Sequence, residues 1–263
     1  MKNPIITLLT DFGLKDPYVA SMKGVILRIN PRCTLVDITH QVNSHDIEEG
    51  AFILANTYST FPRDTIHLSV VDPGVGSPRK PILLVTENYF FVGPDNGLFT
   101  MALRRETVRQ AVALTNPRFF LPQVSTTFHG RDIFAPVAAH ISLGVKPKTF
   151  GKEVRSWKVL SFQRPAMRKG KWVGEIIHVD AFGNLVTNID QDWLFQFAKG
   201  RSFLITVGGK DIQGLKRGYW EGKGNEPMAV LGSGGLLEIS IREGNARKML
   251  KVEKGDPIQI SLL

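Results

Sequence analysis

The chain has 263 residues, of which 43% are hydrophobic and 22% are charged, with one cysteine and a formal net charge of +9. This composition excludes disordered and fibrous proteins, and the length predicts one large domain with a smaller companion. Asp11 interrupts the first apolar run, no run of about 18 uncharged apolar residues follows, and Cys33 has no disulfide partner, so we expect a soluble, cytoplasmic protein.

The first half of the chain alternates short β-branched runs with amphipathic segments, which is typical of an α/β domain with a mainly parallel sheet. Apolar spacing predicts helices that begin at Pro17, Ile47 and Ile133. The predicted strands are Ile5–Thr10, Thr34–Ile38, Ile66–Val71, Ile82–Thr86 and Tyr89–Val92, the last two as a hairpin. This α/β domain should span residues 1–150.

A basic connector is predicted at residues 151–170. Between Gly144 and Lys171 the sequence has nine basic residues and one acidic residue. Such a run can bind phosphates, but a solvated link between domains is its commoner cause. We therefore keep nucleic-acid binding only as a minor alternative.

Residues 171–263 should form a small antiparallel β-barrel, because short strands are separated by glycine-rich turns without convincing helices. The predicted strands are Trp172–Val179, Val186–Ile189, Ser202–Val207, Met228–Leu231, Leu236–Ile241 and Pro257–Leu262.

Polar residues directly after the predicted strands are candidate site residues, because ligands of parallel sheets bind beyond the carboxyl ends of the strands. Asp11, in TDFG, could bind a ribose diol or could cap the following turn through its own backbone amides. Asp72 and Arg79, in VDPGVGSPR, are spaced so that Arg79 could fold back and keep Asp72 ionised. The same pair could equally be a structural brace.

Further candidates lie later in the chain. His129, in FHGRD, could titrate near neutral pH, although a lone histidine before a helix is usually a surface residue, and Asp132 is predicted as the helix N-cap. Asn184 could pair with a purine edge, and Ser233 lies in a glycine-rich turn, but both positions also suit ordinary turn chemistry. The histidines lack HxH and HExxH spacing, so we expect no metal site.

Six motifs follow one another along nearly the whole chain: TDFG, DITHxV with DIEEGA, VDPGVG with the later arginine, GPDNG, FHGRD and DxFGNLxTNI. Together they closely resemble the S-adenosyl-L-methionine (SAM) hydroxide adenosyltransferases, which are SAM hydrolases related to fluorinase and chlorinase. The resemblance implies an N-terminal α/β domain joined to a C-terminal β-barrel. It also implies a homotrimer that binds SAM at the subunit interface, with SAM as substrate and no cofactor.

The resemblance assigns water activation to Asp72, Arg79 and His129, and substrate binding to Asp11, Phe12, Asn184, Ser233 and Glu238. In the halide-using relatives the positions that match Asp72 and His129 look like tyrosines. The ionisable residues here favour water, which needs a base to accept its proton, whereas a halide ion needs none.

We therefore predict a metal-independent hydrolase that cleaves SAM with water at C5′ to give adenosine and L-methionine. One alternative is halide transfer, which would make 5′-halo-5′-deoxyadenosine. Another is a non-catalytic adenosine-binding or SAM-binding protein, or an RNA-associated protein that uses the basic connector.

Overall fold

The computed structural model describes residues 3–168 and 170–263, so Lys169 of the basic run lies outside the described residues. The chain forms two compact units, Met1–Leu160 and Ser161–Leu263. In the part of the chain that is described, no helix is long and apolar enough to cross a membrane.

The first unit is a sheet with helices on both faces. Its strands are β1 (Ile5–Thr10), β2 (Thr34–Thr39), β3 (Ile66–Val70), β4 (Pro81–Thr86), β5 (Phe90–Pro94), β6 (Val108–Leu114) and β7 (Gly151–Glu153). Its helices are α1 (Tyr18–Ile29), α2 (Ile47–Thr57), α3 (Thr100–Leu103) and α4 (Ala135–Ser142), and a π-helical turn at Gly130–Phe134 runs directly into α4.

The strand order in this sheet is β2-β1-β3-β5-β4-β6-β7. β1 pairs in parallel with β2 and β3, and β3 pairs in parallel with β5, whereas β4, β6 and β7 complete an antiparallel half. The predicted α/β class is confirmed, with a mixed sheet. β7 belongs to this sheet although its residues fall within the predicted connector.

The parallel half of the sheet determines where the candidate site forms. β1 is buried on both faces, as its nearly unbroken apolar sequence suggests. Leu8 packs with α1 and α4 on one face, and Leu9 packs with α2 on the other. Because β1, β2 and β3 run in the same direction, the loops that follow them meet at one edge of the sheet.

The second unit is an antiparallel sheet that nearly closes into a barrel. Its strands are β8 (Ala166–Arg168), β9 (Lys171–Val179), β10 (Leu185–Asp190), β11 (Phe203–Val207), β12 (Lys210–Gln213), β13 (Pro227–Leu231), β14 (Leu236–Ile241) and β15 (Pro257–Leu262). The order is β12-β11-β15-β9-β10-β14-β13, β8 pairs with β9, and the edge strands β12 and β13 approach each other. The predicted antiparallel barrel is confirmed.

Two helices in the barrel unit correct the expectation that it contains strands and turns alone. They are α5 (Gln191–Ala198) and α6 (Ala246–Leu250). Each begins at a side-chain cap: Asp190 accepts from the amide of Trp193 at 2.7 Å, and Asn245 accepts from that of Lys248 at 2.8 Å. Both helices are too short to show a clear apolar period in the sequence.

Candidate active site

The loop from Asp72 to Arg79 follows β3 and folds back on itself. The amide of Val75 donates to the Asp72 carbonyl at 3.2 Å, and the amide of Ser77 donates to the Gly74 carbonyl at 3.1 Å. Gly76 has a φ of +77°, and a Cβ at this position would overlap the carbonyl oxygen of Thr126. Glycine therefore lets this loop pack directly against the segment that leads to His129.

Arg79 joins Asp72 and His129 into one cluster. Arg79 Nε donates to Asp72 Oδ1 at 2.9 Å, and Arg79 Nη2 contacts Asp72 Oδ2. The same Nη2 lies 2.7 Å from His129 Nδ1. The side chains of Asp72 and Arg79 are 4% and 9% exposed. The predicted pairing of Asp72 with Arg79 is therefore present, and it extends to a histidine 50 residues away.

The contact with Arg79 determines the form of the His129 imidazole. A guanidinium group can only donate, so Nδ1 must accept and the ring hydrogen belongs on Nε2. Burial lowers the pKa of His129 below its ordinary value of 6.5, and the positive charge of Arg79 lowers it further. The imidazole is consequently neutral at neutral pH.

Asp132 supports the segment before His129 and does not cap a helix, which corrects the N-cap prediction. It lies within the π-helical turn, fully buried, where its Oδ2 accepts from the amide of Ser125 at 2.8 Å. Its Oδ1 accepts from Arg131 Nε at 2.6 Å. Burial alone would raise the pKa of Asp132, but these hydrogen bonds lower it overall. The N-cap prediction was wrong because helical backbone already begins at Gly130.

Asp11 and Phe12 lie in the loop after β1, at the same edge of the sheet. Asp11 Oδ2 accepts from the amide of His45 at 2.9 Å, so Asp11 does not cap its own turn. That role belongs to Thr10, whose hydroxyl accepts from the amide of Phe12 at 3.2 Å. The ring of Phe12 packs edge to face with that of Phe128, at 5.8 Å between centroids. Since Phe128 precedes His129, the loop after β1 contacts the segment that carries the cluster.

In the barrel unit, Asp180 holds Asn184 in place at the turn between β9 and β10. Asp180 Oδ1 accepts from the amides of Phe182 and Asn184 at 2.9 and 2.8 Å, and Oδ2 accepts from Asn184 Nδ2 at 2.8 Å. The ordinary turn chemistry that the sequence also suggested at Asn184 is therefore present, with Asp180 as the acceptor. The side-chain oxygen of Asn184 and its second amide hydrogen lie outside these bonds, which leaves one acceptor and one donor for a ligand.

Glu238 lies on β14, beside the turn that carries Ser233. Its Oε2 accepts from the hydroxyl of Tyr219 at 2.8 Å, and a Cβ at Gly232 would overlap its Oε1. Ser233, next in sequence, is exposed. Burial raises the pKa of Glu238, and the negative charge of Asp180 raises it further. The structure thus brings Ser233 and Glu238 to one end of the barrel.

Sequence reasoning missed Tyr219 and the contact of Asp180 with Asn184. Tyr219 begins a short 3₁₀ turn, Tyr219–Glu221, 19 residues before Glu238. Its only sequence signal is an aromatic pair, Tyr219-Trp220, in a polar, glycine-rich stretch. Asp180 stands four residues before Asn184, a spacing that suits side-chain bonds to turn amides. Among residues 3–168 and 170–263, no group of three or more His, Cys, Asp or Glu is placed to hold a metal ion.

Both units of the chain match models of one protein family. Residues 6–151 match the model of the SAM hydroxide adenosyltransferase N-terminal domain, and residues 174–259 match that of the C-terminal domain. The (R)-S-adenosyl-L-methionine hydrolase of Thermus thermophilus is 36% identical over 97% of this chain and 98% of its own length. The hydrolase of the same name from Methanocaldococcus jannaschii is 35% identical, over 97% and 95%.

More distant and structural relatives agree with this match. A fluorinase from Actinoplanes is 27% identical over 71% of this chain and 72% of its own length. The crystal structure of a conserved, uncharacterized protein from Thermotoga maritima superposes with a TM-score of 0.89 and 37% identity, and covers 97% of this chain and 99% of that one.

Proposed function

This chain belongs to the SAM hydroxide adenosyltransferase family, and we propose that it is a SAM hydrolase that uses water to release adenosine and L-methionine. The names of its relatives specify the (R) epimer at sulfur, and we propose the same epimer as the preferred substrate. The observation that carries the proposal is the cluster of Asp72, Arg79 and His129, built on the buried side chains of Asp72 and Arg79, in a chain similar to these hydrolases over almost its full length.

Asp72 is the proposed acceptor of the water proton. Arg79 can only donate, and His129 Nδ1 already accepts from Arg79. Each oxygen of Asp72 keeps a lone pair after its contact with the guanidinium group. The Nε2 hydrogen of His129 would orient the water by donating to one of its two lone pairs, which leaves the other lone pair free to attack C5′. Placing the base beside the water is the main task of the cluster.

The chemistry at SAM needs little more than positioning and proton removal. As water attacks, a bond forms between its oxygen and C5′, the bond between C5′ and sulfur breaks, and the water proton passes to Asp72. The electron pair of the broken bond stays on sulfur, so its positive charge disappears as methionine leaves. No negative charge develops on a leaving group, and the proposal therefore includes no metal and no cofactor.

Substrate binding is proposed at the remaining candidate residues. Asp11 is an acceptor for the ribose diol, and Phe12 offers an aromatic edge beside it. Asn184, held by Asp180, offers one donor and one acceptor to the purine edge. Ser233 and Glu238 offer further polar contacts at and beside the turn between β13 and β14.

We further propose a cytoplasmic homotrimer whose subunit interfaces bind SAM. Support comes from the family resemblance, and closed cyclic assembly would make every such site identical. Light scattering should give three times the mass of the chain. A stable monomer that binds SAM with full affinity would contradict this assembly.

The direct test is chromatography of SAM after incubation with the purified protein. We expect adenosine and methionine in equal amounts from the (R) epimer, with or without a chelator. Accumulation of a 5′-halo-5′-deoxyadenosine in the presence of halide would instead identify a halide transferase. Recovery of bound but intact SAM would identify a binding protein.

A further inference from the structure

The DITHxV motif has no role in the proposed function, yet its Asp37 and His40 form a continuous chain of contacts to the end of β1. His40 is 3% exposed, and its Nδ1 lies 2.9 Å from the hydroxyl of Thr10. Its Nε2 lies 3.0 Å from Asp37 Oδ1. The other oxygen of Asp37 accepts from Lys23 Nζ at 2.6 Å, which holds the carboxylate in place.

The contact with Asp37 favours one direction along this chain. An ionised carboxylate can only accept, so a hydrogen on His40 Nε2 faces Asp37 Oδ1 in a close polar contact, although the pair does not have the geometry of a hydrogen bond. In this tautomer Nδ1 accepts from the hydroxyl of Thr10. The Thr10 oxygen in turn accepts from the amide of Phe12 at 3.2 Å. Each group therefore has one role, and the chain ends on the backbone that carries Asp11 and Phe12.

The backbone of His40 holds the other end of the same turn. Its carbonyl accepts from the amide of Gly13 at 2.7 Å. Gly13 has a φ of +66°, a conformation that favours glycine. One buried histidine thus fixes both ends of the turn from Thr10 to Gly13, and the two proposed substrate-binding residues lie between these ends.

We propose that His40, oriented by Asp37, is a positioning residue that sets the turn from Thr10 to Gly13 for substrate binding. The inference rests on the proposed function, in which Asp11 and Phe12 bind the adenosine part of SAM. His40 touches neither the substrate nor the Asp72 cluster in this proposal. Its loss should therefore weaken substrate binding and leave the chemical step nearly unchanged.

The chain offers a matched control on the same strand. Thr7 is fully buried like Thr10, and its hydroxyl lies 2.8 Å from Nδ1 of a second buried histidine, His67. Thr7 and His67 are register partners inside the sheet, three positions before the end of β1. Thr7→Val and Thr10→Val thus each remove one threonine–histidine hydrogen bond from β1. Only Thr10 lies next to the turn.

Steady-state kinetics, calorimetric binding of SAM and thermal unfolding should be compared for these two variants. Both should lower Tm. Thr10→Val should raise KM and the SAM dissociation constant about 5- to 20-fold with kcat within about twofold of wild type, as expected when a bond that orders a binding group is lost. Thr7→Val should leave KM unchanged. An unchanged KM in Thr10→Val, or an equal rise in both variants, would overturn the inference.

Conservative replacement of His40 adds a rescue test. The asparagine side chain can place an acceptor where Nδ1 stands, whereas that of glutamine reaches the position of Nε2. His40→Asn should therefore keep KM close to wild type, and His40→Gln should raise it as Thr10→Val does. The reverse order would overturn the inference.

Asp37→Ala gives a variant that should fold even if Thr10→Val does not, because the Asp37 side chain is 38% exposed. It should raise KM about threefold to tenfold, and an unchanged KM would contradict the orienting role of Asp37. If the wild-type protein released no adenosine from SAM, the proposed function would fail. The inference would then still be decided by the SAM dissociation constants.

Discussion

The carboxylates of Asp72 in the α/β unit and Glu238 in the barrel unit have opposite surroundings. Both oxygens of Asp72 contact the guanidinium group of Arg79. Glu238 accepts instead from the neutral hydroxyl of Tyr219. Burial raises the pKa of Glu238, and the negative charge of Asp180 raises it further. A fixed cation keeps a neighbouring carboxylate in the ionised form, the only form that can accept a proton, whereas burial with a raised pKa favours a carboxyl group that takes part in hydrogen bonds. We infer that Asp72 serves the chemical step and that Glu238 serves substrate binding.

The largest expected effect separates these two roles. Asp72→Asn keeps the size of the side chain and removes the proton acceptor, so kcat should fall by about 10² to 10⁴ with KM changed only a few-fold. Asn184→Ala should instead raise KM about tenfold and leave kcat nearly unchanged. Steady-state kinetics measure both, and the exposed Asp211, replaced as Asp211→Asn, serves as control. If Asp72→Asn and Asn184→Ala lost kcat equally, the separation of chemistry from substrate binding would be refuted.

The next effect concerns pH and sharpens the description of the Asp72 cluster. Because the folded-state pKa of His129 is lowered from 6.5 by burial and by Arg79, the neutral imidazole persists as pH falls through that value. Protonation of His129 Nδ1 at lower pH would break the hydrogen bond that it accepts from Arg79. We expect kcat/KM to stay level down to about pH 6.5 and to fall about tenfold per unit of pH below the lowered pKa. His129→Gln should be slow and should lack this acid limb. An acid limb centred above pH 7 would contradict the neutral assignment.

The smallest effect concerns the stability contributed by Glu238. Its folded-state pKa is raised above 4.5, so protonated Glu238 stabilises the folded protein. This contribution is fully present below the unfolded-state pKa of Glu238 and is lost as pH rises through the folded-state pKa. Glu238→Gln keeps an acceptor for Tyr219 without the charge. It should raise Tm by about 1–3 °C at pH 8 and change it little at pH 4. Thermal unfolding at both pH values is the measurement, and an equal change at both would show that the charge has no role.

The parts of the site that sequence analysis predicted depend on short-range signals. Asp72 and Arg79 are seven residues apart on a loop with two intervening glycines, and their contact follows from that spacing. The strands of the parallel half were predicted because their apolar runs are interrupted by clear turn residues. Asp11 was placed correctly at a strand end, although its partner is the amide of His45.

The contacts that short-range signals did not predict join residues far apart in the sequence. Arg79 meets His129 across 50 residues, a grouping that only the family resemblance implied, and Thr10 meets His40 across 30. Such pairs depend on which strands lie side by side and on how loops pack, and neither apolar period nor turn chemistry encodes this. The π-helical turn at Asp132 was missed for a local reason, because its sequence also suits the first turn of an ordinary α-helix.

The central claim is that water attacks C5′ of SAM at the Asp72 cluster. Reaction of the (R) epimer in water enriched in oxygen-18, at high chloride concentration, tests it most directly by mass spectrometry of the products. We expect the label in the 5′-hydroxyl of adenosine and none in methionine, and Asp72→Asn should form labelled adenosine only slowly. Adenosine without label, or accumulation of 5′-chloro-5′-deoxyadenosine, would contradict the claim.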